Sequence, residues 1–402
     1  MMTKYYPPPI YGLEPDSWAE STILVRFPEI VNRTLNENKF SPQIVEKMIQ
    51  LRDGIPDQPI RKLADQQAPD TKDWDNYLAS QVGKNWLAVP WFFAEHYFYR
   101  RIMEAVDYFN QNQDPFRFQK EQGLIKTRQD IHAFAAVLID WKEVTRITQQ
   151  EIQQALFFSL WGNQADLSLW PAGSTGTPKY SSQKILKDHL LADDSSWIIE
   201  KILRNNSMMN RVDLMLDNAG FELVSDLGLA DTLITHQLAA EVVLHVKAHP
   251  TFVSDVIDED IRMTLDFLRS SREEAAKNLG HRLDMHFQAK RLITTPHFFW
   301  NSPLPMWEIP PTLREDLSGS DLLISKGDAN YRRLLGDRHW DFTTPFQQVV
   351  DYLPFPLAAL RTLKAELALG LDPDQIQEIT NQDPNWQVNG KWGVVQFSPG
   401  IS

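Results

Sequence analysis

Cysteine is absent from this 402-residue chain. Its absence excludes disulfide bonds, thiolate zinc sites and cysteine nucleophiles, so any metal ligands must be oxygen or nitrogen atoms. A chain without cysteine also fits a reducing compartment, and we expect a cytoplasmic protein.

Long apolar runs and the common glycine motifs are absent as well. No run approaches the roughly 20 apolar residues that a membrane-spanning helix requires, and the amino terminus lacks a signal-like stretch. The sequence contains no Gly-x-Gly-x-x-Gly, no Gly-x-x-x-x-Gly-Lys-Ser/Thr and no Gly-x-Ser-x-Gly. Dinucleotide binding, P-loop hydrolysis and serine-hydrolase chemistry therefore lose their usual sequence support, and we expect no membrane partner.

Basic residues are too few for a general nucleic-acid binder. The 40 Lys and Arg residues are outnumbered by 53 Asp and Glu residues, which gives a formal net charge of -13. Binding to nucleic acid depends on basic surface, so we expect no nucleic-acid partner, and any bound anion needs locally concentrated positive charge. The sequence leaves the oligomeric state open.

The chain divides by pattern into two parts. Up to about residue 205, apolar residues recur at helical spacing, as in Ile23, Phe27 and Ile30, and predict a mainly helical amino-terminal domain (1–205). From residue 206 to 402, short β-branched or Leu-rich runs alternate with longer amphipathic stretches, which predicts an α/β domain with a mostly parallel central sheet. The predicted strands are Val212–Asp217, Ala240–Val246, Gln288–Thr294 and Asp321–Ser325.

Oxygen-bearing side chains follow two of these predicted strands. Asp217 and Asn218 close the first strand before a helix predicted over Leu223–Leu233, and Asp255 lies in the loop after the second. Such oxygens are the ligands that hard divalent cations prefer. The alternative is that Asp217 or Asn218 only caps the helix. We expect His245 and His249, in the same region, to be hydrogen-bonded rather than metal-bound.

Basic residues follow a later strand and an apolar stretch. Lys326 and Asp328 flank Gly327 at a predicted strand-to-helix corner, while Arg361 and Lys364 lie within an apolar stretch and need partners such as Glu366. In open parallel sheets, ligands bind beyond the carboxyl ends of the strands. The acidic and basic groups should thus meet at one edge, a combination that suggests phosphate chemistry.

Together these motifs resemble the metal-dependent damage-control phosphatases, a family once known only as a domain of unknown function. The similarity is to the subfamily with an Arg-Thr-x-Lys motif, one member of which carries the name of an acidic-residue methyltransferase. The matching segments are Trp18–Pro28, Trp91–Arg101, Ser159–Leu169, Asp217–Glu222, Phe252–Asp255, Ser325–Tyr331, Arg361–Lys364 and Gly390–Gly393. Trp18 and Ala219 depart from the residues common in the family, Phe and Ser, but neither is a presumed ligand.

The resemblance implies an α/β/α sandwich with a helical amino-terminal domain. It implies a cytosolic hydrolase of small phosphorylated metabolites, such as the sugar phosphate fructose 1-phosphate, with Mn, Co, Ni or Mg as cofactor. It further implies that Asp217, Asn218 and Asp255 hold the cation and that Lys364 contacts the phosphate, so these four are the expected catalytic residues. The substrate-binding residues implied are Asp328, Ala329, Asn330, Tyr331 and Arg361.

Further side chains are weaker candidates for substrate binding. Lys326 could assist at the phosphate. Glu95, Arg100, Asn163 and Asp166 could orient sugar hydroxyls, but packing between domains explains them equally well. Two other functions also remain open: an S-adenosylmethionine-dependent carboxyl methyltransferase, which lacks its expected glycine-rich loop here, and a non-catalytic sugar-phosphate-binding protein.

Overall fold

The amino-terminal part of the chain is helical. The structure, a computed structural model, describes residues 5–142, 144, 146–162, 187–203 and 208–400. Its first helices are α1 (Trp18–Ser21), α2 (Phe27–Glu37), α3 (Pro42–Gly54), α4 (Thr71–Leu78), α5 (Trp91–Ala105), α6 (Tyr108–Gln111), α7 (Arg117–Lys126), α8 (Arg128–Lys142) and α9 (Gln149–Trp161). A π-helical turn, Thr22–Arg26, joins α1 to α2.

Local capping explains where several of these helices begin. Ser41 precedes α3 and accepts a hydrogen bond from the Ile44 amide, and Pro42 occupies the first helical position, where a missing N–H costs nothing. Thr148 and Glu151 form a reciprocal capping box at the start of α9. These short-range bonds set the helix boundaries independently of the tertiary packing.

In the described part of the chain, seven strands form one sheet in the order β1-β7-β6-β5-β2-β3-β4. Neighbouring strands run parallel except for the antiparallel pair β6 and β7. The strands are β1 (Leu190–Asp193), β2 (Met209–Met215), β3 (Ala239–Lys247), β4 (Leu292–His297), β5 (Leu322–Lys326), β6 (Leu357–Thr362) and β7 (Gly393–Ser398).

Helices cover both faces of this sheet. The helices are α10 (Ser195–Leu203), α11 (Phe221–Thr235), α12 (Asp258–Arg269), α13 (Glu274–Gln288), α14 (Pro311–Leu317), α15 (Gly327–Leu335), α16 (Phe346–Val349) and α17 (Pro373–Gln382). Side chains on β5 alternate between two cores, since Ile324 packs with α8, α9 and α11 and Leu323 packs with α14 and α15. Strands buried on both faces are typical of a parallel α/β sheet.

A third core lies within the amino-terminal helices. It combines buried residues between Ile10 and Phe116, including Phe27 and Trp74, with Ala365 of the later chain. The loop that follows β6 is thereby anchored in the helical layer, next to Lys364.

These observations confirm the predicted α/β/α sandwich with a mostly parallel sheet and a helical amino-terminal region. Three predicted strands correspond to β2, β3 and β5, and the predicted helix after Asn218 is present; the strand predicted over Gln288–Thr294 begins only at Leu292, since Gln288 ends α13. The domain boundary at residue 205 stays a prediction, and β1 lies on its amino-terminal side. The small and turn-forming residues over 170–182 also predict a loop, and this segment falls outside the described residues. Within the described ranges, no helix combines the length and apolar character needed to cross a membrane.

Candidate active site

The predicted site residues lie at the carboxyl ends of four adjacent strands. Asp217 and Asn218 follow β2, Asp255 lies in the loop after β3, Asp328 follows β5 and Lys364 follows β6. Because β6, β5, β2 and β3 are consecutive parallel neighbours in the sheet, these loops emerge at the same edge.

Backbone pairing brings the three expected cation ligands together. Asn218 and Asp255 form an isolated β-bridge between the two loops. The Ala219 amide donates to the Ser254 carbonyl at 2.7 Å, and the Val256 amide donates to the Asp217 carbonyl at 2.9 Å. The structure therefore places Asp217, Asn218 and Asp255 side by side, although they are far apart in sequence.

The loop that carries Asp255 is held in an unfavourable conformation. Phe252 and Val253 have φ angles of 51° and 68°, in the left-handed region that a β-branched residue rarely adopts. Such residues cost about 1 to 3 kcal/mol each and persist where the surrounding structure imposes them, often at functional sites. Here Val253, the second strained residue, lies two positions before the buried carboxylate of Asp255.

Negative charge is in excess around these ligands. Burial raises the pKa of Asp217 well above its ordinary value, and the neighbouring carboxylates Glu222 and Asp255 raise it further. Burial also raises the pKa of Asp255 to about 6, although Lys247 opposes the rise. Clustered carboxylates of this kind are stabilised by a bound cation.

The donor set fits a hard cation. Asp255 Oδ2 is buried without a well-aligned hydrogen bond, and the nearest cationic group is Lys247 Nζ at 3.3 Å. Among the described residues no three His, Asp or Glu side chains are placed to hold a metal by themselves. A site here would thus need the amide oxygen of Asn218 beside the two carboxylates, with other positions left to substrate or water.

Gly327 allows the corner between β5 and α15 to approach these ligands. Its φ is +82°, and a Cβ at this position would lie 1.9 Å from Asp217 Oδ2. Only glycine accepts both the conformation and the contact. The backbone at this corner therefore packs directly against the Asp217 carboxylate.

Lys326 is neutralised within the protein. Its buried Nζ lies 3.1 Å from Glu222 Oε1 and 3.4 Å from Asp226 Oδ1, both on α11. Ser159 of α9 donates to the same Asp226 oxygen at 2.5 Å, and burial raises the pKa of Asp226 to about 7. These carboxylates already match the charge of Lys326. Its predicted contact with phosphate stays a prediction.

Arg361 and Asp328 shape the loop that carries Lys364. Arg361 is fully buried, and its Nη2 lies 2.8 Å from Asp328 Oδ1 and donates to the Ala365 carbonyl at 3.1 Å. It also donates to the Leu367 carbonyl. Asp328 Oδ1 accepts the backbone amide of Lys364 at 3.2 Å. Arg361 is thus paired with Asp328, not with Glu366.

The Lys364 side chain remains available to a ligand. Its ammonium group forms no hydrogen bond or ion pair with any described residue, and the residue is partly exposed. Its positive charge opposes the raised pKa of Asp217 and contributes to the lowered pKa of Asp328. A free cation therefore stands beside the carboxylate cluster.

The rest of the expected substrate-binding turn is bonded internally. Asn330 donates to the carbonyls of Leu216 and Lys326 at 3.0 and 2.9 Å, and the Tyr331 hydroxyl donates to Gln396 at 2.6 Å. Ala329 is partly exposed in the first turn of α15. Direct contact of these residues with substrate stays a prediction.

The candidates from the helical layer have different roles in the structure. Glu95 on α5 is buried and lies 2.6 Å from Arg332, and burial raises its pKa to about 7 despite that partner. Arg100 is fully buried between Asp70 and Asp65, at 2.7 and 2.8 Å, which is a structural ion pair. Asn163 and Asp166 fall outside the described residues.

The predicted hydrogen bonds of the two histidines are present. His245 Nε2 is hydrogen-bonded to Asp213 Oδ1 at 2.7 Å, and His249 Nδ1 lies 3.1 Å from the Pro250 carbonyl. Neither takes part in the ligand cluster.

Three residues of the site were not singled out from the sequence. Lys247 ends β3 and contacts Asp255, while Glu222 and Asp226 stand one turn apart on α11 and neutralise Lys326. A signal did exist, since two carboxylates on an otherwise buried apolar helix need a cationic partner. The sequence did not indicate that this partner is Lys326, about a hundred residues away.

The site thus has two halves. We call Asp217, Asn218, Glu222 and Asp255 the acidic half, and Asp328, Arg361 and Lys364 the basic half. Gly327 lies between them. An α/β protein with this arrangement at the carboxyl edge of its sheet has the chemistry of a phosphate-handling enzyme.

Comparison with known proteins also indicates an enzyme that acts on phosphate groups. The family described as "Damage-control phosphatase ARMT1-like domain" matches residues 21–379. The chain is 36% identical over 371 residues to the mouse protein named damage-control phosphatase ARMT1, covering 85% of this chain and 83% of that protein. It is 34% identical to the Xenopus tropicalis protein of the same name over 429 residues, with 96% and 97% covered.

The chain therefore belongs to the ARMT1-like damage-control phosphatase family, and this membership supports a phosphatase role. A solved structure of a DUF89 family protein from Pyrococcus horikoshii aligns with 92% of this chain and 96% of that chain, at 17% identity and a TM-score of 0.48.

Proposed function

We propose that this protein is a metal-dependent phosphatase that hydrolyses small phosphorylated metabolites, with sugar phosphates such as fructose 1-phosphate as the substrate class. The observation that carries the proposal is the position of the unpaired Lys364 ammonium beside the buried cluster of Asp217, Asn218 and Asp255. Phosphate transfer needs both a cation site and a counter-charge for the transferred group.

The acidic half would hold the cation. Asp217 and Asp255 offer carboxylate oxygens and Asn218 an amide oxygen, a set suited to Mn, Mg, Co or Ni. When bound, such a cation supplies Lewis-acid polarisation of the phosphoryl oxygens and helps to position the nucleophile. In the structure Asn218 donates its amide nitrogen to Asp217 Oδ2 at 2.6 Å and to Glu222 Oε2 at 2.9 Å, while Ser254 donates to its Oδ1 at 2.5 Å, so the amide would turn over to offer its oxygen to the cation.

The basic half would stabilise the transferred phosphoryl group. Lys364 balances the charge that develops on its oxygens, and Arg361 and Asp328 hold the Lys364 backbone in place. Helix α15 begins at Gly327 without a side-chain cap, so the amides of its first turn also point positive charge towards this edge.

Two routes of attack agree with this arrangement. Either a water molecule attacks phosphorus in a single step, or the Asp217 carboxylate attacks first and the resulting acyl phosphate is then hydrolysed. Rapid acid quenching of the enzyme with a radiolabelled substrate separates the routes, since only the second leaves label on the protein.

The proposal is tested by removing and restoring metal. We expect chelator-treated protein to release no phosphate from a generic aryl phosphate and to regain turnover with Mn, Co or Ni. Circular dichroism of the stripped protein serves as the control for folding. Full activity in the presence of chelator would refute the metal requirement.

A further inference from the structure

A cavity of about 500 Å³ lies between the helical layer and the loops that carry the expected ligands. Ala219 and Ser254, which flank the expected ligands Asn218 and Asp255, line its inner end, and residues of the π-turn, α2, α5 and α7 line the remainder. This volume lies within the range of about 300 to 1,000 Å³ that is usual for small-molecule sites. The cavity is therefore placed to receive the part of a substrate that is not being hydrolysed.

Arg26 stands on the wall of this cavity at an unusual point of the backbone. It ends the π-turn Thr22–Arg26, in which the Phe27 amide donates to the Thr22 carbonyl five residues earlier. Pro28 follows and has no N–H to continue an α-helical ladder, which accounts for the wider turn. Isolated π-turns within helices occur frequently at functional sites.

The charge of Arg26 is unmatched. Its guanidinium forms no hydrogen bond or ion pair with any described residue and lies 5.3 Å from the centre of the Trp18 ring, which restrains it. The other cations on the cavity wall are matched, since Arg33 pairs with Glu37 at 2.9 Å and Lys120 pairs with Asp114 and Asp260 at 2.9 and 2.7 Å.

The exposed Arg26 also lies near α5. Its charge opposes the raised pKa of both Glu95 and Tyr99 on α5, so it lies near both groups. Trp18, on which it stacks, donates its amide to Glu366 at 3.4 Å, two residues beyond Lys364. Trp18 thus links Arg26 on the cavity wall to the loop that carries Lys364.

We propose that Arg26 forms a second anion subsite, which selects phosphorylated sugars that carry another negative group, a phosphate or a carboxylate, away from the hydrolysed phosphate. The proposal rests on the proposed function for the reacting end only. Glu29, exposed on the same wall one turn further along α2, opposes a second anion and weakens the preference.

The test compares matched substrates that differ in the second anion. Phosphate release is measured with fructose 1-phosphate against fructose 1,6-bisphosphate, and with glucose 6-phosphate against 6-phosphogluconate, which separates a second phosphate from a carboxylate. We expect Arg26→Gln to lower kcat/KM for the doubly charged member of at least one pair about tenfold, mainly through KM, and to change the singly charged member less than threefold. Glu29→Gln should shift the same ratio in the opposite direction. Arg52→Gln, which removes an arginine of α3 paired with Asp53, is the charge control.

Equal losses on both members of each pair, or no loss on any, would overturn the subsite. Calorimetric binding of the same four compounds separates this failure from failure of the proposed function. If no compound is hydrolysed but binding of a doubly charged compound still depends on Arg26, the subsite stands and the phosphatase proposal fails. If the compounds are hydrolysed and the preference for a second anion does not depend on Arg26, the phosphatase proposal stands and the subsite fails.

Discussion

The acidic half and the basic half of the site treat charge in opposite ways. In the acidic half, carboxylates are buried close together, and Asp217 and Asp255 have raised pKa values because burial disfavours their charged forms and neighbouring carboxylates add to the rise. In the basic half, Arg361 holds Asp328 at 2.8 Å and lowers its pKa, which leaves the Lys364 ammonium unpaired.

The difference indicates that each half is incomplete without a ligand of opposite charge. A buried cluster of carboxylates is costly without a cation, and a free ammonium beside it attracts an anion. A cation and a phosphate together satisfy both halves. The ion pair of Arg100 with Asp65 and Asp70 is already complete, and it marks a structural contact of the helical layer rather than a site.

The largest effect should follow from removing the free cation. We expect Lys364→Gln to lower kcat by about 100- to 1,000-fold, because a preorganised counter-charge at the transferred group is lost. The affinity for the metal cation should be unchanged or slightly higher, since the positive charge of Lys364 near Asp217 is removed. The exposed Lys391→Gln is the control. A kcat within threefold of wild type for Lys364→Gln would remove the basic half from the mechanism.

Asp255→Asn should come next. We expect a loss of about a hundredfold or more in cation affinity, read from the increase in Tm with added Mn, because a ligand charge is lost while the shape is kept. The protein should remain folded. Glu259→Gln, at an exposed residue paired with Arg117 at 2.6 Å, controls for lost acidic charge. An unchanged Mn-dependent Tm would show that the cation is held elsewhere.

Gly327→Ala should have a smaller effect that tests how the two halves meet. The added Cβ collides with Asp217 Oδ2, so we expect about a tenfold loss of cation affinity as well as a lower Tm. Gly83→Ala is a matched control, since Gly83 has a φ of +87° but a Cβ added there would meet no described atom within 4 Å. Both variants carry backbone strain of about 1 to 3 kcal/mol. If both lose cation affinity equally, the contact with Asp217 has no role.

Glu95 should give the smallest effect, seen in stability rather than turnover. Its folded pKa of about 7 lies above its ordinary value of 4.5, because burial outweighs the ion pair with Arg332, which also serves Asp337. The folded state holds this proton more tightly, so the group favours folding at low pH and that contribution is lost as pH rises from 4.5 through 7.

Urea unfolding at pH 5 and pH 7 measures this contribution. We expect the free energy of unfolding to fall between these values by about 2 kcal/mol more in wild type than in Glu95→Gln. Glu46→Gln, at an exposed position on α3, should behave as wild type. Identical pH dependence in wild type and Glu95→Gln would contradict the raised pKa.

Much of the sheet could be predicted from the sequence, and the reason is burial on both faces. β2, β3 and β5 appear as short apolar runs, whereas β4 is only partly buried and begins four residues after the predicted start; the residues that follow the strands had to share an edge once the strands were parallel. β1, β6 and β7 were not assigned as strands. β7 pairs antiparallel with β6, and β6 continues into an apolar loop with no turn signal after Thr362.

The placement of the candidate ligands followed from topology, but the pairing of charges did not. Arg361 was expected to need a partner, and the sequence pointed to Glu366, five residues away. The structure instead supplies Asp328, which lies on the neighbouring strand-to-helix corner. Likewise the hydrogen bond from Tyr331 to Gln396 joins residues 65 positions apart. Local patterns set the elements, whereas long-range partners depend on the packed fold.

In the proposed enzyme, Asp217, Asn218 and Asp255 share one cation. The most direct test is anomalous diffraction from crystals soaked in Mn, measured at a wavelength where Mn scatters strongly. The account predicts one strong peak bounded by oxygens of these three side chains. A peak elsewhere in the molecule, with none between these residues, would contradict it.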